Sequence, residues 1–219
     1  MSTLVFFTIA YLVVTIAIGL YAAKFVSNSK DYLVAGRGLP LYMNVATVFA
    51  TWFGAETVLS VSATFVKDGL GGIPADPFGA TFCLIFVALF FARAFYRLDL
   101  LTIGDFYKKR YGKGVEVLTS LAVTLSYLGW TSAQLTALGI VFNSLSQGAI
   151  SLDQGILIGA VIVLIYTTFG GMWSVALTDL FQSVVIVVGL IYVAFLVSGM
   201  AGGVGKVVAH ASEAGKFQF

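Results

Sequence analysis

Long apolar runs separated by short polar stretches set the pattern of this chain. A helix needs about 20 apolar residues to cross the hydrocarbon core of a bilayer, and most of these runs are of that order. Counting them predicts six membrane-spanning helices. They cover residues 4–23, 39–66, 78–95, 115–145, 154–169 and 174–200.

The first apolar run also has the length of a signal peptide. However, no basic residue precedes it, the run is uninterrupted, and Lys24 follows it. These features favour an uncleaved first helix.

Composition excludes a soluble protein. Hydrophobic residues make up 59% of the 219 positions and charged residues only 10%, whereas soluble domains carry about 25% charged residues. The mean hydropathy is +1.00, so a lipid bilayer must cover most of the surface.

The single cysteine, Cys83, cannot form an intrachain disulfide, and the single histidine, His210, leaves no HExxH or His-rich zinc site.

Catalytic chemistry is missing from the sequence pattern. No nucleophile–base pair, metal cluster or phosphate loop is recognisable. We therefore predict that the chain is not an enzyme, carries no cofactor and has no nucleic-acid partner.

Basic residues concentrate in the first and third predicted loops, while the second holds only Lys67 and the fourth none. Lysine and arginine are retained on the cytoplasmic side of a membrane. The pattern predicts odd-numbered loops inside, with the N-terminus and the tail outside, and it assigns Lys108-Lys109-Arg110 a topological role. The basic residues on this side are Lys24, Lys30, Arg37, Arg93, Arg97, Lys108, Lys109, Arg110 and Lys113.

The second predicted helix is interrupted at residues 50–57, which read ATWFGAET. A charge at bilayer depth costs at least about 2.5–3.5 kcal/mol, so Glu56 should face protein, water or a ligand. A broken helix also frees backbone groups that can coordinate ions and polar solutes. We predict a transport site here, with residues 52–55 non-helical and shielded from lipid. The alternative is that Gly54 only kinks the helix for packing.

A second interruption, Gly170-Gly171, predicts a tight turn between the last two helices. Asp179 follows at membrane depth. It belongs either to an ion pathway or to the N-terminal cap of the last helix, and the two interpretations are compatible.

Three motifs in order resemble the sodium/solute symporter family, which includes sodium-coupled proline, pantothenate, sialic acid and sugar transporters. Residues 31–37 resemble its D-Y-x-x-(G/A)-G-R motif, and residues 50–54 fit its discontinuous helix. Residues 166–182 resemble its Y-x-x-x-G-G-x-x-x-V-x-x-T-D-x-x-Q stretch. The resemblance covers residues 31–199.

The resemblance implies an all-α membrane protein with an extra first helix and the first five-helix repeat of an inverted-repeat transporter. Residues 1–30 would be the extra helix and first inner loop, 31–200 the first repeat, and 201–219 a truncated outer loop. Since no second repeat is present, we expect an N-terminal fragment whose partner is the missing C-terminal half of the same protein.

The family binds a sodium ion partly through backbone carbonyls at positions that match Ala50 and Phe53, and places an aspartate near the inner sodium route, here Asp179. Glu56 departs from the family pattern; it would bind a cationic group of the solute or pair with a basic residue of a missing helix. Trp130 and Gln134 share one helix face and match a helix beside the solute cavity, with packing as the alternative for Trp130. The predicted solute-binding residues are Thr51, Trp52, Glu56, Thr57, Trp130 and Gln134.

Two functions fit these features. The first is a sodium-coupled symporter of a small organic solute, working by alternating access in a bacterial inner (plasma) membrane. The second is a symporter-like sensor domain of a histidine kinase, which a C-terminal kinase domain would reveal. The solute, and sodium rather than protons as coupling ion, are left open by the sequence.

Overall fold

The computed structural model describes residues 3–218, and this part of the chain is helical with no strand. The prediction of an all-α membrane protein is confirmed. The α-helices are α1 (Thr3–Ala22), α2 (Ser29–Val34), α3 (Leu41–Trp52), α4 (Ser62–Asp68), α5 (Ala80–Phe86), α6 (Ala92–Arg97), α7 (Ile103–Tyr111), α8 (Lys113–Leu145), α9 (Leu152–Met200) and α10 (Val204–Glu213). Three π-helical stretches, Glu56–Val61, Pro74–Gly79 and Val87–Phe91, adjoin α4, α5 and α6.

Three helical stretches within residues 3–218 are long and apolar enough to span a membrane: Thr3–Phe25, Pro74–Arg97 and Leu152–Met200. The bent pair Ser29–Arg37 with Leu41–Trp52 would make a fourth. The predicted count of six is therefore not confirmed. One reason is that α9 is counted as a single span. Its 49 residues would extend roughly 70 Å as a straight helix, which is about twice the thickness of the hydrocarbon core.

The exposure pattern is the reverse of that in a soluble protein. Leu89 is 70% exposed and Phe195 71%, whereas Ala22, Ala176 and Ser174 are fully buried. Large apolar side chains are stable on the outside where lipid replaces water, and small side chains inside let helix backbones approach closely. The chain is an integral membrane protein by this criterion.

The chain divides into two compact units. The first comprises Met1–Asn44 and Phe95–Asp179, and the second Val45–Ala94 and Leu180–Phe219. Helix α9 contributes to both.

In the first unit, the 31–37 motif has structural roles. The Asn28 side chain caps α2 by accepting the Asp31 N–H at 2.9 Å, and the Asp31 carboxylate accepts the Ser27 N–H at 3.1 Å. Gly36 has φ +61°, and a Cβ there would lie 2.9 Å from Asp31 Oδ1. The motif thus needs glycine at this position to turn the chain out of α2.

Arg37 ends the motif and ties it to the segment after α6. Its guanidinium donates to the Tyr96 and Leu100 carbonyls at 3.0 and 2.8 Å and pairs with the Asp99 carboxylate at 2.9 Å. Its side chain is only 19% exposed. Because two carbonyls and a carboxylate accept from its planar guanidinium, Arg37 makes a fixed contact between the first and third loops.

Helix α9 is interrupted at Gly171, whose φ of 51° and ψ of −138° are not helical. A Cβ there would lie 2.5 Å from the Tyr32 carbonyl oxygen. Tyr32 also donates from its hydroxyl to the Thr167 carbonyl at 3.2 Å. The predicted interruption is confirmed at Gly171, but it occupies one residue within an otherwise helical stretch.

Three helices, α2, α7 and α10, lie where loops were predicted. Helix α7 in the third loop begins with a capping box between Thr102 and Asp105. The hydrogen bond from the Thr102 N–H holds the pKa of the exposed Asp105 carboxyl below its ordinary value.

In the second unit, the tail predicted as an outer loop forms α10. Its apolar positions 204, 207, 208 and 211 have the spacing of one helix face, a signal that the overall polarity of the tail obscured.

Candidate functional site

The candidate site is the helix break in the second unit. Helix α3 ends at Trp52, and Phe53 and Gly54 are non-helical. Ala55 is helical again, with φ −61° and ψ −33°, and leads into the π-helical stretch Glu56–Val61. The prediction of a non-helical segment at residues 52–55 is confirmed for its two central residues only.

Backbone hydrogen bonds define the two sides of the break. The Phe53 N–H donates to the Phe49 carbonyl at 2.7 Å, and the Val58 N–H donates to the Gly54 carbonyl at 3.3 Å. The Ala50 and Phe53 carbonyls, predicted to bind sodium, belong to the residues between these two acceptors. They lie near the junction between α3 and the π-helical stretch Glu56–Val61, where the α-helical pattern of backbone hydrogen bonds is interrupted.

The structure brings Trp52 and Thr57 together across the break. The Thr57 hydroxyl lies 3.2 Å from the Trp52 carbonyl oxygen and 2.8 Å from Asp76 Oδ2. One hydroxyl proton serves one acceptor at a time, and the shorter contact to the carboxylate is the stronger type of hydrogen bond. Asp76 is therefore a neighbour of the break that sequence reasoning missed, because it lies in the Gly- and Pro-rich segment interpreted as a loop.

The break is partly buried within residues 3–218. Trp52 is 43% exposed and Glu56 is also exposed, while Phe53 and Gly54 are half-buried. The ring of Phe53 stacks on that of Phe49, with centroids 4.9 Å apart. Shielding of residues 52–55 from lipid stays a prediction, since Phe53, Gly54 and Ala55 are half-buried among residues 3–218 and only Trp52 is exposed.

Hydroxyl groups lie along α3 in the two turns that precede the break. Thr51, a predicted solute ligand, donates to the Thr47 carbonyl at 2.8 Å. Ser183 on α9 donates to the Ala46 carbonyl at 3.3 Å. The Thr47 hydroxyl is buried and makes no hydrogen bond within the part of the chain that the structure describes. Oxygen-rich surroundings of this kind suit a hard cation.

Asp179 is half-buried on α9, more than two helical turns beyond Gly171. A capping side chain acts on the first turn of a helix, so the alternative role as an N-terminal cap is not supported. The neighbouring Thr178 is 2% exposed, with its hydroxyl 2.9 Å from the Ser174 carbonyl oxygen. The ion-pathway hypothesis for Asp179 remains a prediction.

Trp130 and Gln134 lie on α8 in the first unit, whereas residues 50–57 belong to the second. Trp130 is 39% exposed and packs edge-on against Tyr127, with ring centroids 6.0 Å apart. Gln134 is half-buried. The predicted solute-binding residues thus fall into two groups, one in each unit.

The comparison with protein families assigns the class. The model of the sodium:solute symporter family matches residues 32–217, and the chain belongs to this family. The match includes the 31–37 motif almost entirely, both helix interruptions and α10.

Curated relatives of the chain are named as transporters. The high affinity choline transporter 1 of Homo sapiens is 29% identical over 93% of this chain and 36% of the relative. The sodium-coupled monocarboxylate transporter 2 of Danio rerio is 28% identical over 94% and 33%. The osmoregulated proline transporter OpuE of Bacillus subtilis is 26% identical over 89% and 40%.

The chain spans about a third of the length of these curated relatives. No solved structure matches it.

Proposed function

We propose that this chain is part of a sodium-coupled symporter that moves a small organic solute by alternating access. The observation that carries the proposal is the break at Phe53 and Gly54 in a chain matched by the symporter family model. Non-helical backbone at membrane depth is stable where it lines a cavity or is buried in protein. In transporters with inverted repeats, such breaks form the ion and solute sites.

The proposed sodium site contains the carbonyl oxygens of Ala50 and Phe53. Sodium is a hard cation that prefers several oxygen ligands, so two carbonyls make an incomplete shell. Hydroxyl groups from a second repeat would complete it, which makes a C-terminal half of the same protein the required partner. Asp179, half-buried on α9, would line the inner sodium route. Sodium, rather than a proton, is the proposed coupling ion.

The proposed solute-binding residues are Thr51, Trp52, Glu56 and Thr57 in the second unit and, separately, Trp130 and Gln134 on α8 in the first. The relatives are named for choline, monocarboxylates and proline, which are a cation, anions and a zwitterion. Glu56 would favour a solute with a cationic or amino group, because a carboxylate at membrane depth needs a compensating charge. If Glu56 instead pairs with a basic residue of the second repeat, this preference disappears.

The proposed placement is the inner (plasma) membrane of a bacterium, with the N-terminus outside. Residues 1–30 would form an extra helix and first inner loop, residues 31–200 the first repeat, and residues 201–219 an outer segment. The concentration of lysine and arginine in the first and third loops supports this orientation.

Reconstitution tests the proposal. Liposomes with the 219-residue chain should incorporate it without accumulating labelled choline, proline or lactate. Liposomes with the protein encoded by the full-length gene should accumulate one such solute under an inward sodium gradient. Uptake by the 219-residue chain alone would contradict the need for a second repeat. Uptake by the full-length protein that persists unchanged without sodium would contradict the coupling ion. A kinase domain in the full-length gene would favour the sensor.

A further inference from the structure

Residues 216–218 lie against the turn that follows α4. The Leu70 N–H donates to the Lys216 carbonyl at 2.8 Å, and the Gly71 N–H donates to the Gln218 carbonyl at 3.1 Å. The Lys216 ammonium donates to the Lys67 carbonyl at 2.8 Å, across 149 positions of sequence. We call residues 216–218 the strap.

These contacts satisfy groups that helix ends leave open. The Lys67 carbonyl is in the last turn of α4, where carbonyls lack partners within the helix and a lysine ammonium is favourable. Leu70 and Gly71 begin the short 3-10 helix Leu70–Gly72, whose first N–H groups lack partners within it. The strap therefore caps the end of one helix and the start of the next.

Gly69 makes the close approach of the strap possible. Its φ of +70° lies in the left-handed region, and a Cβ there would stand 2.7 Å from the Lys216 carbonyl oxygen and 3.0 Å from the Lys216 Cα. Both of these are backbone atoms, which cannot move aside as the end of a flexible side chain can. Nearby, the rings of Phe65 and Phe217 lie 6.4 Å apart, which adds an apolar contact.

The other end of the strap is anchored on α10. The Lys216 N–H donates to the Ala211 carbonyl at 2.9 Å, and Gly215, with φ +69°, turns the chain back toward α4. The strap thus connects the ends of two helices that are far apart in sequence. On the α4 side, helix continues from Ala55 to Asp68 without a non-helical residue, so a restraint at Lys67 reaches back to the helix break.

We propose that residues 216–218 are a strap that holds the helical segment 55–68 by its far end and restrains its movement relative to α10. The strap rests on contacts within one compact unit and requires no transport activity. Its role in the transport cycle rests on the proposed function: segment 55–68 would have to leave the strap, or carry it along, when the site at the break opens.

Amide hydrogen exchange of the 219-residue chain in detergent micelles tests the strap directly. The Leu70 and Gly71 amides should exchange slowly in the unmodified chain, and G69A should accelerate both by about tenfold, the effect of losing a well-made hydrogen bond. The control is G203A, at a glycine with φ +106° and no atom within 4 Å of the added Cβ. It carries similar backbone strain but should leave Leu70 and Gly71 unchanged.

A second variant covers the case in which G69A does not fold. K216M keeps the aliphatic chain of the lysine and removes only the ammonium, so it should accelerate exchange of the same two amides by a smaller factor, about threefold. K206M, on α10, is its matched control. Exchange on α8 should not change in any variant, which separates loss of the strap from general unfolding.

Fast exchange of Leu70 and Gly71 in the unmodified chain, or unchanged exchange in a folded G69A, would overturn the strap. In the full-length protein, G69A and K216M should change the maximal rate of solute uptake without changing its sodium dependence. Normal uptake in both variants would overturn the role in the cycle. If the unmodified full-length protein shows no uptake at all, the proposed function fails while the exchange result still decides the strap.

Discussion

The two helix interruptions of this chain differ in what surrounds them. At Gly171 the backbone is buried, and the space that a side chain would occupy is filled by the Tyr32 carbonyl and ring. At the other interruption, Phe53 and Gly54 are half-buried between an exposed Trp52 and an exposed Glu56. One interruption is closed by packing, and the other is partly open.

This difference separates a break that is closed by packing from the break at which we propose the transport site. Backbone groups at membrane depth must find partners, because lipid offers none. At Gly171 neighbouring protein occupies the space, so little room is left for a ligand. At residues 53–54 the Thr57 hydroxyl already reaches the Trp52 carbonyl, and Trp52 and Glu56 on either side are exposed.

The largest effect is expected from G171A. The added Cβ would require a φ of +51° and would collide with the Tyr32 backbone, so the free energy of unfolding should fall by about 2–4 kcal/mol. Titration with SDS in mixed micelles, followed by tryptophan fluorescence, measures it. G189A on the same helix is the control, since nothing lies within 4 Å of its Cβ. A G171A protein as stable as the original would show that the break is not closed by packing.

F53P is expected to have the next largest effect, on ion binding in a protein that joins this chain to the proposed second repeat. Proline removes the N–H that donates to Phe49 at 2.7 Å and displaces the Phe53 carbonyl, so half-maximal uptake should need about tenfold more sodium. F53L keeps the backbone and should leave the sodium dependence unchanged. A raised sodium requirement in F53P but not in F53L would identify the Phe53 carbonyl as a ligand. If F53P and the original protein need the same sodium concentration, Phe53 is not part of the site.

D179N should weaken sodium coupling by about fivefold, because it removes a negative charge from the proposed route while preserving side-chain shape. Sodium-dependent uptake by the full-length protein measures this, and the amount of protein in the membrane should be unchanged. D153N, in the exposed first turn of α9, is the matched control. Normal sodium affinity in D179N would leave Asp179 with a structural role only.

The smallest effect is expected from T57V. Valine keeps the shape of threonine but loses the hydroxyl, and with it the 2.8 Å contact to Asp76 and the 3.2 Å contact to Trp52. The free energy of unfolding should fall by about 0.5–1 kcal/mol, measured by the same SDS titration. T57S should retain the original stability. If T57V matches T57S, the hydroxyl does not hold the two sides of the break together.

The features that sequence reasoning located are those with a local cause. Gly54 and Gly171 were found because each has a neighbouring signal in the sequence, the carboxylate of Glu56 beside Gly54 and the second glycine, Gly170, beside Gly171. Helix α10 and the neighbour Asp76 were missed because both lie in segments whose composition resembles a loop. The shielding of residues 52–55 from lipid stays a prediction, because burial depends on which helices pack around a break and not on the break itself.

The sequence by itself determined that this protein is helical, lies in a membrane and belongs to the sodium:solute symporter family, because hydropathy, helix period and short motifs are written in consecutive residues. Only the tertiary structure decided which interruption is closed and which is open. Tyr32 reaches Thr167 across 135 positions, Ser174 reaches Gly19 across 155, and Lys216 reaches Lys67 across 149. Contacts at such separations leave no periodic signal in the chain, since each depends on helices that meet only after the fold has formed.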